Sequence, residues 1–243
     1  MGRYTDQPTL DVDFIKPRRM SFDTKGGGMD GGRNGLGESV SIEMTGGGIV
    51  VGSYEECLVF EREEHEYINW LAARLNGSHR FVNVPILSDW MGPFPSDTRG
   101  IPKPIVSGVP HSDGALFSDG AGYSQATVYG TIASAGALNA GVISIRLFGA
   151  ARSLRWSDWF SIYHPTKGWR AYRYWEVQSV TQETNPVYTL AITPPLREAA
   201  PLGQRVEFAR PRFVGKFPSG FTLRWDAEAF WQSRPTLQFS EAF

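Results

Sequence analysis

Two Ser-Asp-Gly triplets, Ser112-Asp113-Gly114 and Ser118-Asp119-Gly120, set two carboxylates close together along the chain, where they could meet on one cation. A calcium loop, however, recruits several oxygens at a tighter alternating spacing and closes on a bidentate glutamate; neither feature follows here. Asp-Gly is also a turn signal, because Asp tolerates a left-handed backbone and bonds its own amides while Gly supplies positive φ. The triplets are therefore read as turns, and no metal ligand is assigned. The glycine-rich run Gly26–Gly37 invites comparison with a phosphate loop, but no Gly-Lys-Ser or Gly-Lys-Thr closes it and no helical pattern follows. No cofactor is expected. His65, His79, His111 and His164 are scattered, and the chain has no Gly-x-Ser-x-Gly nucleophile turn, so no catalytic residue is assigned and the chain is read as non-enzymatic. The lone cysteine, Cys57, excludes an internal disulfide and a one-chain thiolate zinc site; within Cys57-Leu58-Val59-Phe60 it reads as a small apolar strand residue.

Tryptophan is the remaining chemical signal. Of eight in the chain, Trp156, Trp159, Trp169 and Trp175 crowd into one block. Exposed indoles are one way to bind sugars; buried ones are equally what a small β core or a subunit interface uses, and the second reading is favoured.

The elements that would position these residues are mostly short strands. Arg18 to Thr24 resembles a first strand, and Gly26 to Gly35 reads as a loop that needs a partner to order it, since each glycine loses much backbone entropy on fixing. Ser39 to Thr45 alternates as a half-buried strand, with Val40, Ile42 and Met44 on one face. A helix is expected over about 62–76, where Ile68, Leu71, Ala72 and Leu75 form one stripe and Gly77 provides a stop. Glutamates 63, 64 and 66 suit the positive end of its dipole. With Glu55, Glu56 and Glu61 they form an acidic set. A strand at Phe81 to Ile86 follows. Six prolines between Pro85 and Pro110 predict a long arm or connection. Strands are then expected at Val142 to Phe148, Trp159 to Tyr163, Tyr172 to Val180, Val187 to Ile192, Val206 to Phe208 and Phe213 to Phe217, a density that implies a small barrel or sandwich.

Composition agrees with a β-rich chain. The 243 residues include 27 glycines, against the roughly 17 that about 7% usage would give, and 16 prolines. A formal net charge of -1 gives no basic excess for holding nucleic acid. No apolar run approaches the roughly 18 residues of a membrane span, and Met1 to Asp6 shows no signal-peptide core. The expectation is a chain with no membrane insertion, kept in a reducing cytoplasm until lysis.

The segment Ile68-Asn69-Trp70-Leu71-Ala72-Ala73-Arg74-Leu75-Asn76-Gly77 with Val84-Pro85-Ile86, the paired Ser-Asp-Gly turns, and Pro194-Pro195-Leu196-Arg197-Glu198-Ala199 occur in one order along the chain. In this the chain resembles the distal-tail and minor-tail proteins at the tail tip of long-tailed bacteriophages and related prophage or gene-transfer elements. The resemblance implies a mainly β fold: a tail-tube-like β-barrel with one flanking helix over 1–90, a Pro/Gly-rich arm over 91–140, and a second small β-barrel or sandwich, galectin-like or OB-like, over 141–243, unless the last strands return to the first domain. It further implies a ring of subunits, six by expectation and three as the alternative, between the tail tube protein and the central hub of the virion tail tip. Such a ring would be assembled in the bacterial host cytoplasm, with DNA passing only in transit, and the acidic set of Glu55, Glu56, Glu61, Glu63, Glu64 and Glu66 would then face the lumen in part and keep DNA from adhering. A ring needs reaching segments, and the assembly-interface candidates are Gly26, Gly28, Met29 and Arg33 in the glycine run with Asp113, Phe117, Asp119 and Tyr123 around the turns. The competing reading is a carbohydrate-binding host-recognition module built on the tryptophan block, and a third is a cell-wall hydrolase.

Overall fold

The structure is a computed structural model that describes residues 3–43, 46–87, 91–106, 115–119, 121–122, 127–224 and 232–243. It is mainly β and divides into two compact units, one formed by Met1–Pro85 with Arg212–Phe243 and the other by Ile86–Pro211.

In the first unit five strands form an antiparallel sheet in the order β1 (Arg19–Lys25), β4 (Ile49–Glu55), β13 (Leu237–Glu241), β12 (Arg212–Lys216) and β5 (Val82–Pro85). Aromatic rings tie it together: Tyr54 meets Phe22 and Phe239 edge-on, Phe239 meets Phe217, and the buried Tyr54 hydroxyl donates to the Pro85 carbonyl. This sheet is not a closed barrel among the described residues, which corrects the expectation for the first domain. Its β5 edge is taken instead by the N-terminal segment, where Leu10 N donates to Asn83 O and Asn83 N to Pro8 O. A short helix, α1 (Val12–Ile15), follows that segment with Asp11 as its cap. The expected helix is α2 (Arg62–Leu75), and it buries Ile68, Leu71 and Leu75. Cys57 lies just beyond β4 rather than within a strand, buried, its amide donating to Pro235 O.

The acidic start of α2 is structural at its centre. Glu64 is buried; burial alone would raise its carboxyl, but the Lys16 ammonium beside it and the amides of Phe60 and Glu61 hold it below the ordinary value. Glu66 pairs with Arg62, and Glu56 lies near Arg18 and Arg19. The expectation of an acidic set free to face a channel therefore fails for Glu64, and Glu56 and Glu66 already have partners.

The second unit is a closed six-stranded barrel in the order β10 (Val187–Thr193), β7 (Val142–Phe148), β6 (Tyr129–Ser134), β11 (Arg205–Glu207), β8 (Asp158–His164) and β9 (Gly168–Val180), with β9 pairing back to β10. Its interior includes Ile132, Ile145, Phe160, Tyr172, Leu190, Leu196 and Phe208. The stretch Pro194–Ala199 serves this core: Leu196 is buried, its amide donates to Ala140 O, and its carbonyl accepts from Asn139. The expected division at 91–140 does not hold. Tyr129–Ser134 is a barrel strand paired to β7 and β11, and Phe94 is buried in the barrel core, so this unit begins at Ile86 and ends at Pro211. The C-terminal strands belong to the first unit.

His164 sits at the end of β8, fully buried, with Nε2 2.8 Å from the Tyr172 hydroxyl, which also accepts from Arg197 N. Burial pushes its imidazole down to about 4. The unfolded chain takes up this proton near the ordinary value of about 6.5 and the fold only near about 4, so the neutral ring contributes stability above about pH 6.5 that is lost as pH falls between the two. The melting temperature should drop through that window, by at most about 1.4 kcal/mol of stability per pH unit from this group. His164→Gln should flatten the slope; an unchanged slope would show that other groups govern it.

Candidate functional site

The centre of the glycine run is a strand rather than a loop. It forms β2 (Gly28–Arg33), which pairs with β3 (Ser39–Glu43) in a two-stranded arm inserted between β1 and β4. The arm continues the β1–β4 hairpin: the last pair of the sheet is Lys25 with Ile49, and the first pair of the arm is Gly28 with Glu43. Glycines form the joint. Gly48 takes φ +80°, and a Cβ there would stand 2.3 Å from the Lys25 carbonyl oxygen, so only glycine fits. At the tip Asn34 accepts from the amides of Leu36 and Glu38 through its side-chain oxygen and donates to the Glu38 carboxylate, which orders the turn.

Of the eight interface candidates, Gly26, Gly28, Met29 and Arg33 come together in this arm and at its base. Gly26 takes φ +81° with open space beside it, Gly28 faces Glu43, and Arg33 pairs with Ser39 at the far end of β2. Met29 is 55% exposed directly opposite Ile42, itself 51% exposed. Val40 stands on the same face as Ile42, two residues along, and is exposed rather than half-buried as its alternation implied. With exposed Leu36 at the tip, the arm carries an apolar stripe that no described residue covers. All six residues of β2 are exposed. A two-stranded ribbon of this kind is marginal in water without a face to pack on.

Phe117 and Asp119 belong to a separate turn in the second unit. Phe117 N donates to Ala121 O, and the Asp119 side chain accepts from Ala121 N, the self-bonded Asp turn expected from the sequence. Phe117 is exposed. Asp113 and Tyr123 lie outside the described residues. Among the described residues no group of three or more His, Cys, Asp or Glu side chains is gathered for a metal, and no helix is long and apolar enough to cross a membrane.

The tryptophans separate into two kinds. Trp159 is buried, and Trp169 is half-buried against Tyr163, as a core reading requires. Trp156 and Trp175 are 88% and 59% exposed, which corrects the core reading for that pair. Sequence spacing missed them as a pair because neither is set by simple alternation: Trp156 has φ +45°, and Trp175 is the extra residue where the β9–β10 register slips between Glu176 opposite Ala191 and Tyr174 opposite Ile192.

Comparison with protein-family models and with curated proteins finds no match for this chain.

The joint and the tip of the arm should respond oppositely to side chains. Gly48→Ala, forced against Lys25 O in a left-handed backbone, should destabilise the fold by more than about 1 kcal/mol. Gly37→Asn at the tip, with φ +83° and open space, should be close to neutral. Thermal melts of both variants check this; equal losses would contradict the geometry of the joint.

Proposed function

We propose that this chain is a structural protein of a phage tail tip, a ring-forming adaptor between tail tube and central hub that keeps a channel open for DNA. The observation that carries the reading is the β2–β3 arm, ordered at tip and base yet carrying an uncovered stripe of Met29, Val40 and Ile42. A second copy of the chain is the occupant this stripe suits. A closed ring covers every arm without leaving an unpaired end, whereas an open chain of the same contact would grow into filaments.

The resemblance in order of the helix, the turn pair and the Pro194–Ala199 segment supports the same assignment, as does a mainly β chain whose second unit closes into a barrel. In this reading the first unit is the tail-tube-like part, its sheet and arm corresponding to the element that builds the ring, and the barrel is the second, OB-like or galectin-like domain. The protein works by geometry, with no catalytic step, cofactor or metal, and acts in the virion after assembly in a host cytoplasm.

Light scattering on the purified chain should give a closed oligomer of six subunits, or three if it sits nearer the hub. Met29→Ser combined with Ile42→Ser should shift it to monomer while changing the stability of the subunit by no more than about 0.5 kcal/mol per site, as for other exposed positions. A wild-type chain that stays monomeric at high concentration, or an oligomer indifferent to the double variant, would overturn the ring.

A further inference from the structure

The second unit carries a groove that the ring reading does not use. It has a volume of about 520 Å³ and is lined by Leu154, Arg155, Trp156, Trp175, Glu176 and Val177. Both indoles are placed there by local departures from regular backbone. A bulky residue at positive φ is uncommon and strained. Trp156 is held so by hydrogen bonds on either side, Tyr174 Oη donating to Arg155 O at 3.0 Å and Arg173 Nε to Ser157 Oγ at 2.9 Å. Trp175 is the unpaired residue of a β-bulge, a feature that re-aims a side chain and is common beside binding sites. The strand β8 begins at Asp158 opposite Tyr174, so the chain around Trp156 leaves the ladder where Trp175 and Glu176 would otherwise be flanked. The Arg155 and Glu176 side chains are exposed, and neither forms an ion pair with a described residue.

We propose that this groove binds a carbohydrate chain, with the C–H face of a sugar ring stacked on the indoles of Trp156 and Trp175 and its hydroxyls bonded to Arg155 and Glu176. The choice of occupant follows from the lining. An apolar peptide side chain would cover the indoles but remove water from a guanidinium and a carboxylate without replacing it, at the cost of leaving both unsatisfied. A sugar ring has an apolar face and a rim of donors and acceptors, and so meets both kinds of lining at once. An indole has only two χ angles to order, so stacking on these aromatic platforms loses little conformational freedom for the area it covers. The inference does not depend on ring formation.

The test is calorimetric titration of the full chain with defined soluble tetrasaccharides of glucose, of galactose, of rhamnose and of N-acetylglucosamine. At least one should bind, and Trp156→Ala and Trp175→Ala should each weaken it about tenfold or more, the loss of roughly one ring-stacking contact. Trp70→Ala, an exposed indole stacked on Tyr67 in the first unit, should leave binding unchanged. Both groove indoles are exposed, so the variants should melt with the wild type, which separates lost binding from lost folding. Absence of binding by all four sugars, binding untouched by both groove variants, or saturation of the groove only by an apolar dye would each overturn the proposal.

Discussion

Where backbone hydrogen bonds are exhausted and where they are left open is the constraint on which this structure depends. In the second unit every barrel strand has two neighbours, because β9 pairs with both β8 and β10, so no edge remains. In the first unit the sheet ends at β1 and β5; the β5 edge is occupied by Pro8–Leu10, and among the described residues the arm is two strands wide with no further strand paired to either one. The arm thus combines two open strand edges with an exposed apolar stripe of Met29, Val40 and Ile42.

The energetics follow the same division. Fixing a residue costs about 1–2 kcal/mol of backbone entropy, which the barrel offsets through a contiguous buried core and the sheet through its run of aromatic contacts. The arm has little of either. Its order rests on cross-strand pairs, the Asn34 turn and a glycine joint at which side chains would collide. Surface of this kind gains most from a neighbour. Two buried titratable groups elsewhere are held by their surroundings: Glu64 is committed to Lys16 and the start of α2, and His164 is kept neutral inside the barrel.

Much of the fold was legible in the sequence where a single period dominates. The helix stripe of Ile68, Leu71 and Leu75 and the alternation of Val142–Phe148 and Val187–Thr193 correspond to α2, β7 and β10. Strands interrupted by small residues were not: Gly52 breaks the pattern of β4 where the Phe22 ring lies across it, and Gly130 breaks that of β6 beneath Ile145. A close approach that demands glycine erases the side-chain signal that would announce the strand. The glycine run looks like a loop in sequence for the related reason that composition reports the entropy cost and not the pairing that offsets it. Of the candidate site, clustering in the arm could be foreseen for Gly26, Gly28, Met29 and Arg33, since they are neighbours in sequence. The exposure of Trp156 and Trp175 could not, because a positive φ and a register slip arise from tertiary pairing.

The central claim is that the arm is a surface completed by another copy of the chain, and hydrogen exchange across the arm as a function of protein concentration tests it most directly. The account predicts that amides of Met29–Arg33 and Ser39–Ile42 exchange quickly in dilute monomer and become protected in step with oligomer formation, while the barrel amides stay equally protected throughout. Arm amides that exchange at the same rate in monomer and oligomer would contradict it.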